Sequence, residues 1–360
     1  MAQLVLINPL CSEARKAERL HSILDASLKG YSYDEIVTVE AFENADLRNK
    51  KILFSVSLGE SGINLEYYNM LKQIRLDREC FTGSVGGVIV DGNSELFTKS
   101  ISRELVFSAN RSGCTFPGRP LVEGTRSLKN FNIRAHNLRM DNLGAYMVEG
   151  RQLLYNIMEA PRPRKEQPRV LVIHASDHTI SNSLCLWEMV RDYLEGCEVQ
   201  EISIRNGNVL DCQGCPYETC KHFAEKQRCF YGGQIVEEVY PAILNCDALV
   251  MVCPNYNDAV GANIAAFINR LTALLITHKF YDKYLFGIVV SGYSGGDIVA
   301  QQLISALNMN KTFRLPGHFA LLETANDPRA ILQTEGIEKR AHAFARTILK
   351  NIRADSCNQA

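Results

Sequence analysis

The 360-residue sequence has little net charge, no block of like charges and no long apolar run. Its 39 basic residues nearly balance its 40 acidic residues, which does not favour a surface for nucleic acids or other polyanions. Because no apolar run reaches the length of a membrane-spanning helix, we expect no membrane association. These absences predict a soluble, cytoplasmic protein whose partners are small molecules.

Twelve cysteines are present, but their distribution does not favour a disulfide framework. Eight are scattered along a chain far longer than disulfide-stapled secreted domains, which indicates reduced thiols. The other four lie in the segment DCQGCPYETCKHFAEKQRC, at Cys212, Cys215, Cys220 and Cys229. Four soft ligands in one short segment suit a tetrahedral zinc ion or a 4Fe-4S cluster, with a metal-free remnant as the alternative.

The length fits two domains, and the segment PRPRKEQPR (161–169) predicts the boundary between them, at 1–160 and 168–355. After this segment, apolar strand patterns alternate with helical patterns. The predicted strands are Val170–His174, Val199–Ile204, Ala248–Cys253, Phe286–Ser291 and His318–Leu322. The predicted helices are Asn182–Leu194, Gly233–Leu244, Asn263–Leu275, Ile298–Leu307 and Glu335–Ile352. This alternation predicts a doubly wound α/β fold with a parallel sheet.

The N-terminal half repeats the scheme less clearly, with predicted strands at Leu4–Ile7, Ile52–Val56 and Val85–Val90. Local echoes such as LVLIN and VLVIH, or GVIVDGNS and GIVVSGYS, indicate a distant duplication. The later copy then carries an additional segment that contains the cysteines. The alternative is that any two α/β domains share such patterns.

A phosphate-binding loop is predicted directly after the strand Val170–His174. Hydroxyl and amide side chains follow this strand at Ser176, Thr179, Ser181, Asn182 and Ser183, just before a predicted helix. The first turn of a helix has unpaired N–H groups and the positive end of the helix dipole, so it binds anions well. An ordinary N-cap without a ligand is the alternative.

Two further loops are expected at the same edge of the sheet, because the carboxyl ends of parallel strands lie together. The loop CPNYNDAVGA (253–262) has a proline, an aromatic residue and two amides, which suit the edge of a flat heteroaromatic ligand. The loop SGYSGGD (291–297) has glycines that permit close approach of the main chain and a tyrosine that can stack.

Residues 168–325 resemble the NADPH-dependent FMN reductase and iron-sulfur flavoprotein branch of the flavodoxin-like proteins. The resemblance implies two flavodoxin-like sheets in tandem, the first degenerate. The early loops INPLCSEARK and SLGESGIN lack the Ser/Asn and Pro-x-Tyr elements, so we expect the first domain to bind no flavin or to bind it poorly. The resemblance assigns the FMN phosphate to the loop after Val170–His174, where Asp177 and His178 replace a Pro-Arg step and His178 supplies the cationic group. The implied cofactor-binding residues are Ser176, His178, Ser181, Asn182, Ser183, Pro254, Asn255, Tyr256, Asn257, Ser291, Gly292 and Tyr293.

The function implied by this resemblance is an FMN-dependent NAD(P)H oxidoreductase that needs no catalytic side chain, since the flavin carries out the redox chemistry. Electrons pass to a small-molecule or protein acceptor, and a ferredoxin-type donor competes with the nicotinamide if the cysteines hold a cluster. Relatives dimerise over the flavin, so a homodimer or an intrachain pseudo-dimer is expected. The alternatives are a flavodoxin-like electron carrier and a flavin-free structural or assembly protein.

Overall fold

The computed structural model describes residues 3–59, 61–176, 180–205 and 209–354, without the side chains of residues 14–16. The chain forms two compact units, residues 1–160 and 161–360. The division falls at the proline-rich segment, where proline prevents the preceding helix from continuing. The roles predicted for the two domains stay predictions.

The first unit contains a parallel five-stranded sheet within the described residues, in the order β2-β1-β3-β4-β5. Its strands are β1 (Leu4–Ile7), β2 (Tyr33–Ile36), β3 (Lys51–Leu58), β4 (Val85–Gly92) and β5 (Leu121–Gly124). Its helices are α1 (Ala14–Leu28), α2 (Val39–Glu43), α3 (Leu65–Leu76), α4 (Thr98–Arg111), α5 (Asn132–Leu138) and α6 (Asn142–Met158), with a 3₁₀ turn at Lys129–Phe131.

The second unit contains a second parallel five-stranded sheet in its described part, in the order β10-β9-β8-β6-β7. Its strands are β6 (Arg169–His174), β7 (Glu198–Ser203), β8 (Ala248–Pro254), β9 (Tyr284–Ser291) and β10 (Ala320–Thr324). Its α-helices are α7 (Asn182–Arg191), α8 (Tyr217–Ala224), α9 (Tyr240–Asn245), α10 (Ala262–Thr277), α11 (Gly296–Leu303) and α12 (Ile337–Ile352). Shorter segments are π-helical at Ile235–Val239 and Ile304–Met309 and 3₁₀-helical at Ala330–Gln333.

Both sheets have the same strand order when the strands are counted within their own unit. In the described residues each order is 2-1-3-4-5, which is the flavodoxin-like order. The predicted fold, two doubly wound parallel α/β sheets in tandem, is therefore confirmed. A common ancestor of the two units stays a prediction, because unrelated α/β domains share this order.

The core of the second unit explains why its central strands are apolar throughout. β9 is buried along its whole length, and β8 is buried except at Pro254, because helices cover both faces of the sheet. On one face, Trp187 of α7 is fully buried and its Nε1 donates to Oε2 of Glu201 at 2.9 Å. Trp187 thus belongs to the core and does not face a ligand.

Several predicted boundaries differ from the structure for local physical reasons. β10 begins at Ala320, because His318 has a φ of +58° and cannot extend the strand. The helix predicted over 233–244 is a π-helical segment followed by α9, with proline near the start of α9. β2 and β5 were not predicted, since each has four residues and their sequences, YDEI and LVEG, include acidic side chains.

Four scattered cysteines among the described residues of the second unit lie in or near its core. Cys185, Cys246 and Cys253 are buried, and Cys197 is half-buried. Burial raises the pKa of the Cys253 thiol to about 12, so this thiol stays protonated at neutral pH. Among the helices that the structure describes, none has the length and apolarity needed to cross a membrane.

Candidate functional site

The three loops singled out in the sequence meet in a cleft at the carboxyl edge of the second sheet. This cleft has a volume of about 360 Å³. Its described lining residues are Ala175, Ser176, Ile180, Ser181, Asn182, Ser183, Arg205, Pro254, Asn255, Tyr256, Val290, Gly292, Ala325 and Asn326. The predicted grouping of the three loops at one edge is therefore present in the structure.

Strand register explains this grouping. β6 pairs with β8 so that His174 lies opposite Val252, and β8 pairs with β9 so that Pro254 lies opposite Val290. The loops that follow these three neighbouring strands consequently start at the same level of the sheet. In doubly wound folds this edge, where the strand order reverses, is the usual ligand-binding position.

The first loop ends in a capped helix N-terminus. Ser181 is the N-cap of α7, its Oγ accepting from the backbone N–H of Leu184 at 3.3 Å and lying 2.9 Å from Oγ of Ser183. Ser176 is only 7% exposed, and its Oγ has no hydrogen-bond partner in the part of the chain that the structure describes. A buried hydroxyl without a hydrogen-bond partner is unusual, and Ser176 is one of the residues that line the cleft.

The Asn182 side chain holds the protein's own backbone. Its Nδ2 donates to the carbonyl oxygens of Ala325 at 3.1 Å and Asp327 at 2.8 Å. Its Oδ1 accepts from the backbone N–H of Ile331 at 3.1 Å. Both amide hydrogens and the amide oxygen are thus used to fix the segment that follows β10.

The second loop is a tight hairpin turn. Tyr256 and Ala259 exchange two backbone hydrogen bonds of 3.1 Å each, and the two residues between them, Asn257 and Asp258, have φ values of +52° and +58°. Positive φ at both central positions defines a type I′ turn, which asparagine and aspartate tolerate better than most residues. Asn257 therefore serves the turn and does not line the cleft.

Asn255 connects the second loop to the third. Its Nδ2 donates to Oγ of Ser291 at 3.2 Å and to the carbonyl oxygen of Ser294 at 2.8 Å. Its Oδ1 is buried and has no partner among the described residues. Because Asn255 also lines the cleft, this oxygen is an acceptor available at the cleft wall.

The twelve predicted cofactor-binding residues fall into three groups. Eight line the cleft: Ser176, Ser181, Asn182, Ser183, Pro254, Asn255, Tyr256 and Gly292. Three described residues are outside the lining: Ser291, which is buried, and Asn257 and Tyr293, which are exposed. His178 lies outside the described residues.

Two parts of the cleft were not predicted from the sequence. Ala325 and Asn326 follow β10, and the same rule about carboxyl ends of strands could have found them. Arg205 follows β7, where a single arginine after an edge strand carries no recognisable pattern. Arg205 is the only charged residue among the described residues that line the cleft.

The sequence between the proline-rich segment and the loop after β10 agrees with one known family. Residues 168–327 match the NADPH-dependent FMN reductase family. The matched range includes all three cleft loops as well as Asn326, and it lies in the second unit. No curated protein sequence matches the chain.

Several solved structures are similar to the chain. An NAD(P)H:quinone oxidoreductase from Methanothermobacter marburgensis is 14% identical, over 51% of this chain and 99% of its own, with a TM-score of 0.39. An FMN-dependent NADH-azoreductase from Bacillus anthracis, solved with FMN, is 11% identical over 51% and 99%, with a TM-score of 0.33. The Trp repressor binding protein from Bacillus subtilis is 18% identical over 49% and 96%, with a TM-score of 0.32.

The four-cysteine segment also lies within the range of the FMN reductase match. Burial and the neighbouring thiols of Cys229, Cys212 and Cys215 raise the pKa of Cys220, which indicates that the four sulfur atoms are near one another. Among the described residues, however, no three His, Cys, Asp or Glu side chains are arranged to hold a metal ion. The predicted zinc or 4Fe-4S site is therefore not supported by ligand geometry.

A buried arginine lies near these cysteines within the FMN reductase-like unit. Arg270 of α10 is 2% exposed, and its Nη2 donates to the carbonyl oxygen of Gly232 at 2.8 Å. Its Nε and Nη1 have no hydrogen-bond partner in the described part of the chain. The hydroxyl of Tyr240 donates to the carbonyl oxygen of Arg270 at 2.6 Å, and Tyr240 interacts electrostatically with Cys229.

Proposed function

We propose that the second unit is an FMN-dependent NAD(P)H oxidoreductase that holds FMN in the cleft and passes electrons from NAD(P)H to an acceptor. The observation that carries this proposal is the buried Ser176 hydroxyl, which lines the cleft without a partner among the described residues. A buried polar group in this state costs free energy until a ligand or water satisfies it. The family match over residues 168–327 supports FMN as that ligand.

The first loop and the start of α7 would hold the phosphate of FMN. The Ser176 hydroxyl is one donor, and a second comes from the pair Ser181 and Ser183, in which one hydroxyl donates to the other and leaves one hydrogen for the phosphate. The backbone N–H groups of the first helical turn add the positive end of the dipole. Asn182 would contribute its backbone, since its side chain holds the segment after β10.

The second and third loops would hold the flavin ring. Pro254 and Tyr256 provide apolar and aromatic surface, and Oδ1 of Asn255 can accept a hydrogen bond from an N–H group of the ring. Gly292 lets the main chain approach the ring closely.

No acidic or basic side chain is needed for the proposed reaction. When bound, FMN accepts a hydride from NAD(P)H and then gives two electrons to an acceptor. The described lining residues accordingly include no carboxylate. Their contribution is to bind, orient and shield the ring, while the acceptor, a small molecule or a protein, is left open.

The proposal is tested by titrating FMN into the purified, flavin-free full chain and then following NADH and NADPH oxidation with a small quinone as acceptor. We expect one tightly bound FMN per chain, since the first unit is predicted to bind flavin poorly or not at all, and we expect oxidation that depends on FMN. Tight FMN with one-electron potentials and negligible NAD(P)H oxidation would identify an electron carrier. Absence of FMN binding would favour the structural or assembly alternative.

The mouth of the proposed flavin site bears exposed aromatic rings. Tyr256 is 57% exposed and Tyr293 is 81% exposed. We propose that a second copy of the chain covers the flavin there. Analytical ultracentrifugation with and without FMN should show a homodimer, and a monomer under both conditions would contradict this proposal.

We further propose that Cys212, Cys215, Cys220 and Cys229 hold a 4Fe-4S cluster whose negative charge is balanced by Arg270. A buried guanidinium with two unsatisfied nitrogens is costly unless an anion is near it. Four thiolates around a cluster provide such an anion, whereas neutral thiols do not. A cluster would permit one-electron transfer and a ferredoxin-type donor.

The proposed 4Fe-4S cluster is tested by iron, sulfide and zinc analysis of protein purified without oxygen. Arg270→Met is expected to weaken retention of iron and sulfide, and Arg270→Lys, which keeps the charge, is expected to weaken it less. In metal-free protein the Met variant should be as stable as the parent or more stable, because an unpaired buried charge is removed. Bound zinc, or no metal in freshly prepared protein, would contradict the cluster.

A further inference from the structure

We propose that Arg205 is the cationic residue that binds the phosphate of FMN, an inference that rests on the proposed function. The family resemblance assigns this charge to His178, which lies outside the described residues. Arg205 comes from a different strand and was not among the predicted site residues. It would make the cleft selective for the phosphorylated flavin.

The register of β6 and β7 places Arg205 beside the phosphate loop. His174 of β6 lies opposite Ser203 of β7, and the backbone N–H of Ile204 donates to the carbonyl oxygen of His174 at 2.8 Å. Ser176 and Arg205 each come two residues after these paired positions. They therefore leave neighbouring strands at the same level, and both line the cleft.

The backbone at Arg205 is held in place by α10. Nδ2 of Asn263 donates to the carbonyl oxygens of Ile204 at 2.6 Å and Arg205 at 2.9 Å. The side chain of Arg205 belongs to an exposed residue. A fixed backbone with a long exposed side chain lets the guanidinium reach an anion without rearrangement of the sheet.

The negative charge of the FMN phosphate supports the assignment of Arg205 as its binding residue. A phosphate monoester carries close to two negative charges at neutral pH, and serine hydroxyls and backbone N–H groups do not neutralise them. Arg205 is the only charged residue among the described residues that line the cleft. A guanidinium can bind two phosphate oxygens at once, which fits this role better than a point charge does.

The test compares FMN with riboflavin, which has the same ring and no phosphate. In Arg205→Gln the affinity for FMN should fall by roughly 10- to 100-fold, since a charge-assisted interaction is lost. Riboflavin affinity should stay unchanged, and Arg205→Lys should lie between the parent and the Gln variant. Arg346→Gln, which removes the same charge from an exposed position of α12, is the matched control and should bind both flavins normally.

Each other outcome overturns the inference in a recognisable way. Equal FMN affinity in Arg205→Gln and the parent would show that Arg205 does not bind the phosphate. An equal loss for FMN and riboflavin would show that Arg205 supports the cleft structure, and a higher KM for NADPH alone would assign it to the nicotinamide nucleotide. A parent protein that binds no FMN would instead refute the proposed function itself.

Discussion

Nδ2 of Asn255 donates to Oγ of Ser291 at 3.2 Å, and this hydrogen bond joins the loop after β8 to the end of β9. The same nitrogen also donates to the carbonyl oxygen of Ser294 at 2.8 Å. One amide thus holds two of the three cleft loops together. Its oxygen faces no partner among the described residues and is the acceptor assigned above to the flavin ring.

We predict that Asn255→Ala lowers both the stability of the second unit and its affinity for flavin. Loss of the two hydrogen bonds should reduce the free energy of unfolding by about 1 to 3 kcal/mol, measured by urea denaturation. Riboflavin and FMN affinity should fall together, because Asn255 is assigned to the ring. An unchanged riboflavin affinity would remove Asn255 from the ring site.

Asn182 differs from Asn255, because its whole side-chain amide binds the backbone of the segment after β10. Asn182→Ala should destabilise the second unit by about 1 to 3 kcal/mol, because three part-buried or exposed hydrogen bonds are lost. Any loss of affinity should be equal for FMN and riboflavin. A loss confined to FMN would mean that the Asn182 side chain binds the phosphate after all.

The sequence predicted the central strands well and the edge strands less well, and burial explains the difference. β8 and β9 are covered on both faces, so their apolar runs are continuous and easily recognised. Among the described strands, β2 pairs only with β1, and it has the sequence YDEI, with three of its four residues exposed. Such a strand has no apolar run to recognise.

The candidate site was partly predictable for a related reason. The position of Ser176, Pro254 and Gly292 at one edge follows from parallel strands alone. The local role of an asparagine does not follow, because the same amide can bind a ligand or the protein's own backbone, as Asn182 and Asn257 do in different ways. Arg205 required the β6–β7 register, which is not visible in the sequence.

Gly295 is predicted to be essential for the shape of the third loop. Its φ is +82°, and a Cβ atom there would lie 2.0 Å from Oδ1 of Asp258 and 2.8 Å from Nδ2 of Asn255. Gly295→Ala should therefore destabilise the unit by about 1 to 3 kcal/mol and displace Asn255, with weaker flavin binding.

The matched control for this substitution is Gly30→Ala, in the first unit. Gly30 also has a positive φ, +91°, but a Cβ atom there would meet no atom within 4 Å. This variant should show only the backbone cost, about 1 kcal/mol, and should bind flavin normally. Equal effects of the two variants on flavin binding would show that the close contact at Gly295 is not what shapes the cleft.

We predict that the buried thiol of Cys253 lowers the thermal stability of the second unit at alkaline pH. Burial raises the pKa of its thiol from 9.0 to about 12, so the folded state holds the proton more tightly than the unfolded state. The protonated Cys253 thiol therefore contributes fully to the free energy of unfolding below pH 9, and this contribution is lost as pH rises toward 12. Thermal unfolding of the parent should therefore shift to lower temperature over this range. The unfolding temperature of Cys253→Ala should fall less over this range. Cys11→Ala, in the first unit, is the control and should fall as much as the parent. Equal falls in the parent and in Cys253→Ala would contradict this assignment.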